Sequence, residues 1–397
     1  MKGRIIILTK NQPPSVRRGR RTLHIITLFF WFALYAYQSN FAPYLTHLNA
    51  SGTLVGLITG SYGFVQFALR VPLGAAADKR GSHGRFITAG VLFAVLSALV
   101  LLSSENIYVI FFGRVLAGTA ASTWVNFTVL YSSFYNEGES VSAIGTLSFY
   151  NNVGQMLAML LGAYLIQWSG SFKSAFALSF AAGIIALLFS LRTAGGETQS
   201  AAQRFDFKAL LRDKTLVTVS MIAAVSQFIT FGTTFSFTTT YASSVLGSTP
   251  AQNGLLVVIP YIPTALGALF LGKTLAKRVK AQNLVLVGFA LSGAFTLAVP
   301  FINDFNVLVA AQVLNGLGKG VSFPLLMGLS IKNVPTEARG AAMGFFQSTY
   351  ALGMFLGPFF VGAVSDLISL ETGFYAVGGI CLLASLISYL IIKKLAR

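Results

Sequence analysis

The sequence predicts an all-α polytopic membrane protein with twelve transmembrane helices arranged as two pseudo-symmetric six-helix bundles. Three observations predict it. The first is composition: of 397 residues, 55% are hydrophobic and only 10% are charged, too little polar surface for a soluble chain of this size. The second is spacing: apolar runs of about 20 residues recur with short polar breaks, the helical length that crosses a ~30 Å hydrocarbon core. The third is a repeat. Gly74-Ala75-Ala76-Ala77-Asp78-Lys79-Arg80 and Gly272-Lys273-Thr274-Leu275-Ala276-Lys277-Arg278 lie 198 residues apart, and Arg114-Val115-Leu116-Ala117-Gly118 meets Gln312-Val313-Leu314-Asn315-Gly316 at the same offset. An apolar chain of two parallel halves is the signature of a transporter built around a central site.

The spans run in order at 23–45, 53–77, 84–103, 106–135, 140–168, 172–192, 215–242, 252–276, 282–301, 305–332, 338–368 and 372–392. Several exceed what a bilayer needs, so tilts or kinks are expected. Barrel strands would be shorter and alternating. Residues 1–22 form a basic N-terminal segment ahead of the first bundle, 23–193. Arg17, Arg18, Arg20 and Arg21 precede an apolar stretch that is too long for a signal peptide and lacks a clear cleavage site, so it reads as a retained first helix. Residues 194–214 form a linker: a flexible start from Ala194 to Ser200, then the amphipathic Phe205–Arg212, suited to a membrane surface. The second bundle is 215–397.

The net charge of +17 raises the question of nucleic acid. Its distribution answers no. With these spans, 24 of the 28 Lys and Arg residues fall on one side, Lys173 on the other, and Arg70, Arg114 and Lys319 inside helices. This is the positive-inside asymmetry of a multi-pass cell-membrane protein with both termini cytoplasmic. The single cysteine, Cys381, excludes an intramolecular disulfide and a thiolate metal cluster, and reads as a small core residue.

The loop after the second span carries Gly74, Asp78, Lys79 and Gly81, with Arg85 displaced by Ser82-His83-Gly84. The fourth span carries Arg114 and Gly118, and the fifth carries Gly145 and Gly154 with Ala158-Met159 following. With two six-helix halves, these features resemble the major facilitator superfamily over essentially the whole chain. That family's loop reads Gly-x-x-x-Asp-Arg/Lys-x-Gly-Arg, and its antiporters carry Gly-x8-Gly-x3-Gly-Pro on the fifth helix. Here the eleventh helix holds the fuller glycine pattern, Gly344, Gly353, Gly357 and Pro358. The resemblance implies an inner gate at Gly74, Asp78, Lys79, Gly81 and Arg85, with Asp78 engaging basic groups and the start of the eleventh helix in one state. Ala276 replaces this acid in the second half, so the gate is expected to be asymmetric.

Lys319 lies about 14 residues into the tenth helix, ~21 Å of rise, too deep to snorkel easily. A charge there costs at least ~2.5–3.5 kcal/mol on insertion scales, so it needs a partner, a wet cavity or a ligand. Gln312, Asn315, Lys319 and Ser322 share one helix face. The resemblance turns that face toward substrate, because the first, fourth, seventh and tenth helices line the family's cavity. The alternative is a lysine bonded to backbone carbonyls between helices. For Arg114 the resemblance implies proton transfer or substrate binding, against a structural role tying helices through carbonyls, and Arg70 reads as a gate or structural residue. Further stripes are Trp31, Tyr35 and Gln38; Ser148, Asn151 and Gln155; Gln227, Phe231 and Thr234; and Gln347, Tyr350 and Met354. The expected cavity set is therefore Tyr35, Gln38, Arg114, Asn151, Gln155, Gln227, Asn315, Lys319, Gln347 and Tyr350. Each stripe is also what interhelical packing would use.

All eleven acidic residues fall in loops or near helix ends. A cavity holding Lys319 without a buried acid favours an anionic solute. His24, His47 and His83 lie near different membrane boundaries and read as interfacial. No nucleophile–base pair, metal cluster or phosphate-binding glycine loop occurs, so neither an enzyme nor a cofactor is expected. The sequence thus points to a monomeric secondary transporter of a small anionic or zwitterionic solute, with export or exchange favoured. The alternatives are a proton-coupled multidrug or sugar antiporter, with H+ as its coupling ion, and a transporter-like sensor or lipid scramblase.

Overall fold

The computed structural model describes residues 14–135, 140–193, 211–270, 278–335 and 338–395. The basic N-terminal residues 1–13, most of the expected linker, and residues 271–277 of the second loop motif lie outside them. Among the described residues every regular element is helical. The helices make twelve passages. The first is α1 (Pro14–Tyr35) and α2 (Gln38–His47), then α3 (Gly52–Arg80) and α4 (His83–Ser103). The fourth is α5 (Ile107–Ser122) and α6 (Trp124–Ser132), followed by α7 (Ser140–Ser169) and α8 (Lys173–Ser190). The second half runs α9 (Lys214–Gly232), a π-turn at Thr233–Phe237, α10 (Thr238–Val245), α11 (Pro250–Val258), α12 (Tyr261–Phe270), α13 (Ala281–Ala298), α14 (Phe305–Ser330), α15 (Arg339–Leu367) and α16 (Leu370–Leu395). Eight candidate spans, including α3, α4, α8 and α16, are long and apolar enough to cross a bilayer by length and composition alone.

The short loops supply the helix starts. Ser51 accepts from Leu54 N–H, Asn106 from Tyr108 N–H, and Asp213 from Thr215 and Leu216 N–H. Thr249 and Gln252 form a capping box with Pro250 at the first turn. Each satisfies donors that a helix end would otherwise leave unpaired. Several spans are interrupted, in line with the kinks their length implies: the first at Ala36–Tyr37, the fourth at Thr123, the seventh at its π-turn and the eighth near Pro260. Proline lacks the N–H that α-helical bonding needs, which explains the eighth.

Each half packs internally in the same way. α1 lies against α7 and α8, α4 against α5 and α8; in the second half α13 lies against α14 and α16. The halves meet along α3 with α15, and α7 with α11. Call the end bearing Pro14 and Leu395 proximal and the opposite end distal. At the distal end the contact is backbone on backbone. A side chain at Gly56 would collide with the carbonyl of Pro358, and one at Gly362 with the carbonyl of Gly52. Gly52, Gly56, Gly60 and Gly63 repeat every three or four residues, so all four face α15. Asp366 closes this edge: its carboxylate accepts from Gly52 N–H at 2.6 Å and Thr53 N–H at 2.7 Å, capping α3 from the other half.

Candidate functional site

Between the halves, proximal to this seal, lies a cavity of about 330 Å³. Aromatic rings make much of its wall. Trp31 meets Trp124 edge-on at 5.4 Å, and Tyr35 meets Phe235 edge-on at 6.2 Å across the bundle boundary. Amides supply the polar part: Gln155 bonds Asn151 within α7 and accepts from the Tyr261 hydroxyl of the second half at 3.2 Å.

Two cations face this space. Lys319 Nζ donates to Thr234 Oγ1 at 2.6 Å. An ammonium has three donors, so two remain for other partners. Arg70 is 2% exposed; it bonds the Gln66 side chain and donates to the Gln347 carbonyl at 3.2 Å. Its Nε has no hydrogen-bond partner. No aspartate or glutamate lines the cavity among the described residues.

Of the residues expected in the cavity, Tyr35, Asn151, Gln155, Gln227, Lys319 and Tyr350 line it. Four stand elsewhere. Arg114, 1% exposed, sits in an aromatic cage, 4.4 Å from the Tyr62 ring centre and 5.2 Å from that of Phe41. Ring faces attract the cation where no carboxylate does. It also donates to the Tyr37 hydroxyl at 3.1 Å and to Gln38 Oε1 at 2.8 Å, which keeps Gln38 out of the cavity. Asn315 turns to Gln312, its Nδ2 donating to Oε1 at 3.3 Å, so Gln312 takes the lining position. Gln347 offers Arg70 its backbone carbonyl, while its side-chain oxygen is buried and unpaired.

Tyr62, Gln66, Trp124, Tyr261 and Phe323 line the cavity beyond the expected set. Tyr62, Gln66 and Arg70 were legible: spaced by four, they form a polar stripe on α3. Trp124 and Tyr261 come just after helix breaks and carry no such signal.

At the proximal end, Gly81 ends α3 in the left-handed conformation, φ 60°, which glycine adopts without strain. Gly74 lies against Val125, and Lys79 and Arg85 are exposed. Asp78 pairs with His83, Oδ1 to Nε2 at 3.2 Å, and His83 Nδ1 lies 3.0 Å from Asn126 Oδ1. His83 is therefore not the interfacial residue its sequence position implied. It is fully buried, because it opens α4 directly after the Ser82 cap and its ring meets Asn126 of α6. His24 is also drawn inward, stacked on Tyr150 at 4.1 Å and bonded to the Tyr131 hydroxyl at 2.6 Å. Cys381 packs in the core, its Sγ 3.1 Å from the Phe289 carbonyl.

The family profile described as Major Facilitator Superfamily matches residues 23–249 and 221–396. The chain belongs to this superfamily of membrane transporters. The bacillibactin exporter of Bacillus subtilis is 25% identical over 326 residues, covering 78% of this chain and 81% of that protein. The quinolone resistance protein NorA of Staphylococcus aureus is 22% identical over 359 residues, covering 88% and 90%. Among solved structures, a bacterial homolog of the human lysosomal transporter Spinster, inward-facing and unoccupied, superposes with a TM-score of 0.81 at 15% identity, covering 96% of this chain and 98% of that one. Membership assigns the chain to solute transport rather than catalysis, and with its apolar spans makes it a multi-pass membrane protein.

Proposed function

We propose that this transporter exports or exchanges a small organic anion or zwitterion by alternating access, as a monomer in the cell membrane. The observation that carries the reading is the charge of the cavity: Arg70 and Lys319 face it and no described carboxylate does. A neutral or cationic solute would leave that charge uncompensated in a low-dielectric site, whereas a carboxylate, phosphate or sulfate would satisfy it. The aromatic wall and the amides of Asn151, Gln155 and Gln227 suit a solute with a planar apolar body and a few polar edges.

The positive-inside asymmetry supports a cytoplasmic proximal end. The sealed distal end then faces outward, and the cavity takes its solute from within. An anion leaving a negative interior gains ~2.3 kcal/mol per charge per 100 mV, so export needs no buried acid to carry a coupling cation. Kinship with an exporter of bacillibactin and with a quinolone resistance protein supports the outward direction.

The test is thermal unfolding of the purified protein against a panel of anionic, neutral and cationic solutes, repeated with Lys319→Gln. A ligand at 100 times its Kd stabilises by ~2.7 kcal/mol. Anions alone should raise the melting temperature, and the shift should vanish in the variant. A second reading, a proton-coupled exporter of aromatic drugs, is favoured by the ring-lined wall. It takes over if cationic or neutral aromatics stabilise both proteins equally.

A further inference from the structure

The seventh span changes its winding where it passes the cavity. Between α9 and α10, Thr233–Phe237 form a π-turn in which Thr238 N–H reaches back to the Thr233 carbonyl. Such turns are rare, less favourable than α-helix and concentrated at functional positions. This one is held from both halves of the protein. From its own half, Lys319 Nζ donates to Thr234 Oγ1. From the other half, Gln38 Nε2 donates to the Phe235 carbonyl at 3.2 Å, while Gln38 Oε1 accepts from Arg114 at 2.8 Å. Gln38 and Arg114 are 2% and 1% exposed, so water does not compete for these bonds. Gln38 is also the first residue of α2, immediately after the break in the first span. Two interrupted helices therefore face each other, joined by one amide.

Each interruption leads into the distal seal. On α2, Asn40 donates to the Pro250 carbonyl at 3.1 Å and accepts from Asn253 Nδ2 at 3.0 Å. On α10, Ser243 accepts from the same Asn253 amide at 2.8 Å. The rotational setting of α10 relative to α2 decides whether this three-helix network closes, and the π-turn sets that rotation. Lys319 is a cavity residue, so a solute that draws its ammonium away removes one of the two tethers. The other tether is Gln38.

We propose that Gln38 is a positioning residue which locks the π-turn of the seventh span to Arg114 and so couples the cavity to the distal seal. With both tethers made, the turn is held and the seal is closed. With Lys319 engaged elsewhere, only the Gln38 amide resists rewinding of the turn. Its release lets α10 rotate away from Asn253. The proposal rests on the alternating-access reading above. Its test uses no solute, so an error about the anion does not touch it.

The experiment places spin labels on cysteines substituted at Ser103 and Asn303, exposed distal positions of the two halves, and measures their distance distribution by electron double resonance in lipid nanodiscs. Buried Cys381 stays in place. Gln38→Glu keeps an acceptor for Arg114 but sets an oxygen against the Phe235 carbonyl. The expected result is a longer-distance component whose weight relative to the sealed component rises about fivefold, the effect of one net hydrogen bond. The melting temperature should change little, since Arg114 keeps its partner. If Gln38→Glu does not accumulate in the membrane, Gln38→Met, near in shape and uncharged, carries the same expectation for the distances, while its melting temperature should fall because Arg114 loses its amide acceptor. Ser385→Ala loses a bond to the Leu286 carbonyl inside the second half, away from this network, and should leave the distribution alone. An unchanged distribution in the Gln38 variants overturns the proposal, and so does an equal shift in Ser385→Ala.

Discussion

Replacing Lys319 by methionine should make the solute-free protein more stable, and that sign separates a binding residue from a structural one. Lys319 is the fifteenth residue of α14, ~21 Å of rise from its start, near the middle of the bilayer. Holding an ammonium there costs ~2.5–3.5 kcal/mol on insertion scales. The hydrogen bond to Thr234 is its one observed partner and returns ~1.5–3 kcal/mol, the range for bonds to charged groups. Methionine has nearly the same length, packs without a cavity and removes both terms, leaving a net gain of up to ~2 kcal/mol. At ~2–4 °C per kcal/mol for chains of 150–250 residues, and less for a longer one, the melting temperature should rise by roughly 1–4 °C. Thermal unfolding of parent and variant in the same detergent reads this directly. A variant melting several degrees below the parent would show that Lys319 ties helices together, and the electrostatic reading of the cavity would fail with it. A variant that gains stability and no longer responds to anions would show a residue whose cost is tolerated for its ligand.

The seal offers two further tests, both read by the rate at which an impermeant maleimide labels a cysteine placed at Val55, buried in the distal contact at 1% exposure. Asp366→Asn keeps one acceptor for the start of α3 and loses the charge and the second bond; a loss of ~1 kcal/mol should speed labelling about fivefold, and an unchanged rate would remove Asp366 from the seal. Gly56→Leu puts a branched side chain where the Pro358 carbonyl already sits. The sealed state should become inaccessible and the cysteine should label as fast as a fully exposed one; persistent protection would show that the glycine contact is dispensable.

Much of the fold was legible because lipid restricts the choices. A chain that must satisfy every backbone group without water can only be helical or a closed barrel, and the length of the apolar runs decides between them. The repeat then fixed the two halves. The site was legible where charge made burial conspicuous, as at Lys319, or where polar residues recurred at helical spacing, as at Asn151 and Gln155. It failed where a neighbour from the other half decided orientation. Gln38 and Arg114 satisfy each other, which no spacing within one helix reveals. Asn315 and Gln312 compete for one direction on a single turn. His83 reads as a boundary residue until Asn126, 43 positions away, is seen to hold its ring.

The glycine contact between α3 and α15 bears on how the transporter responds to temperature. A closure made by interlocking long side chains would freeze their rotamers each time it formed and would remove much apolar surface from its surroundings. Backbone against backbone does little of either: at these positions glycine has no side-chain freedom to lose and no methyl group to uncover. The sealed and open states should therefore differ by a small entropy and a small heat capacity, since heat capacity scales with the area exposed. Their ratio would then stay nearly constant on warming, leaving the few polar ties at Asp366, Asn253 and Gln38 to set it. A seal of this kind keeps the same balance between its two states across a wide range of growth temperatures.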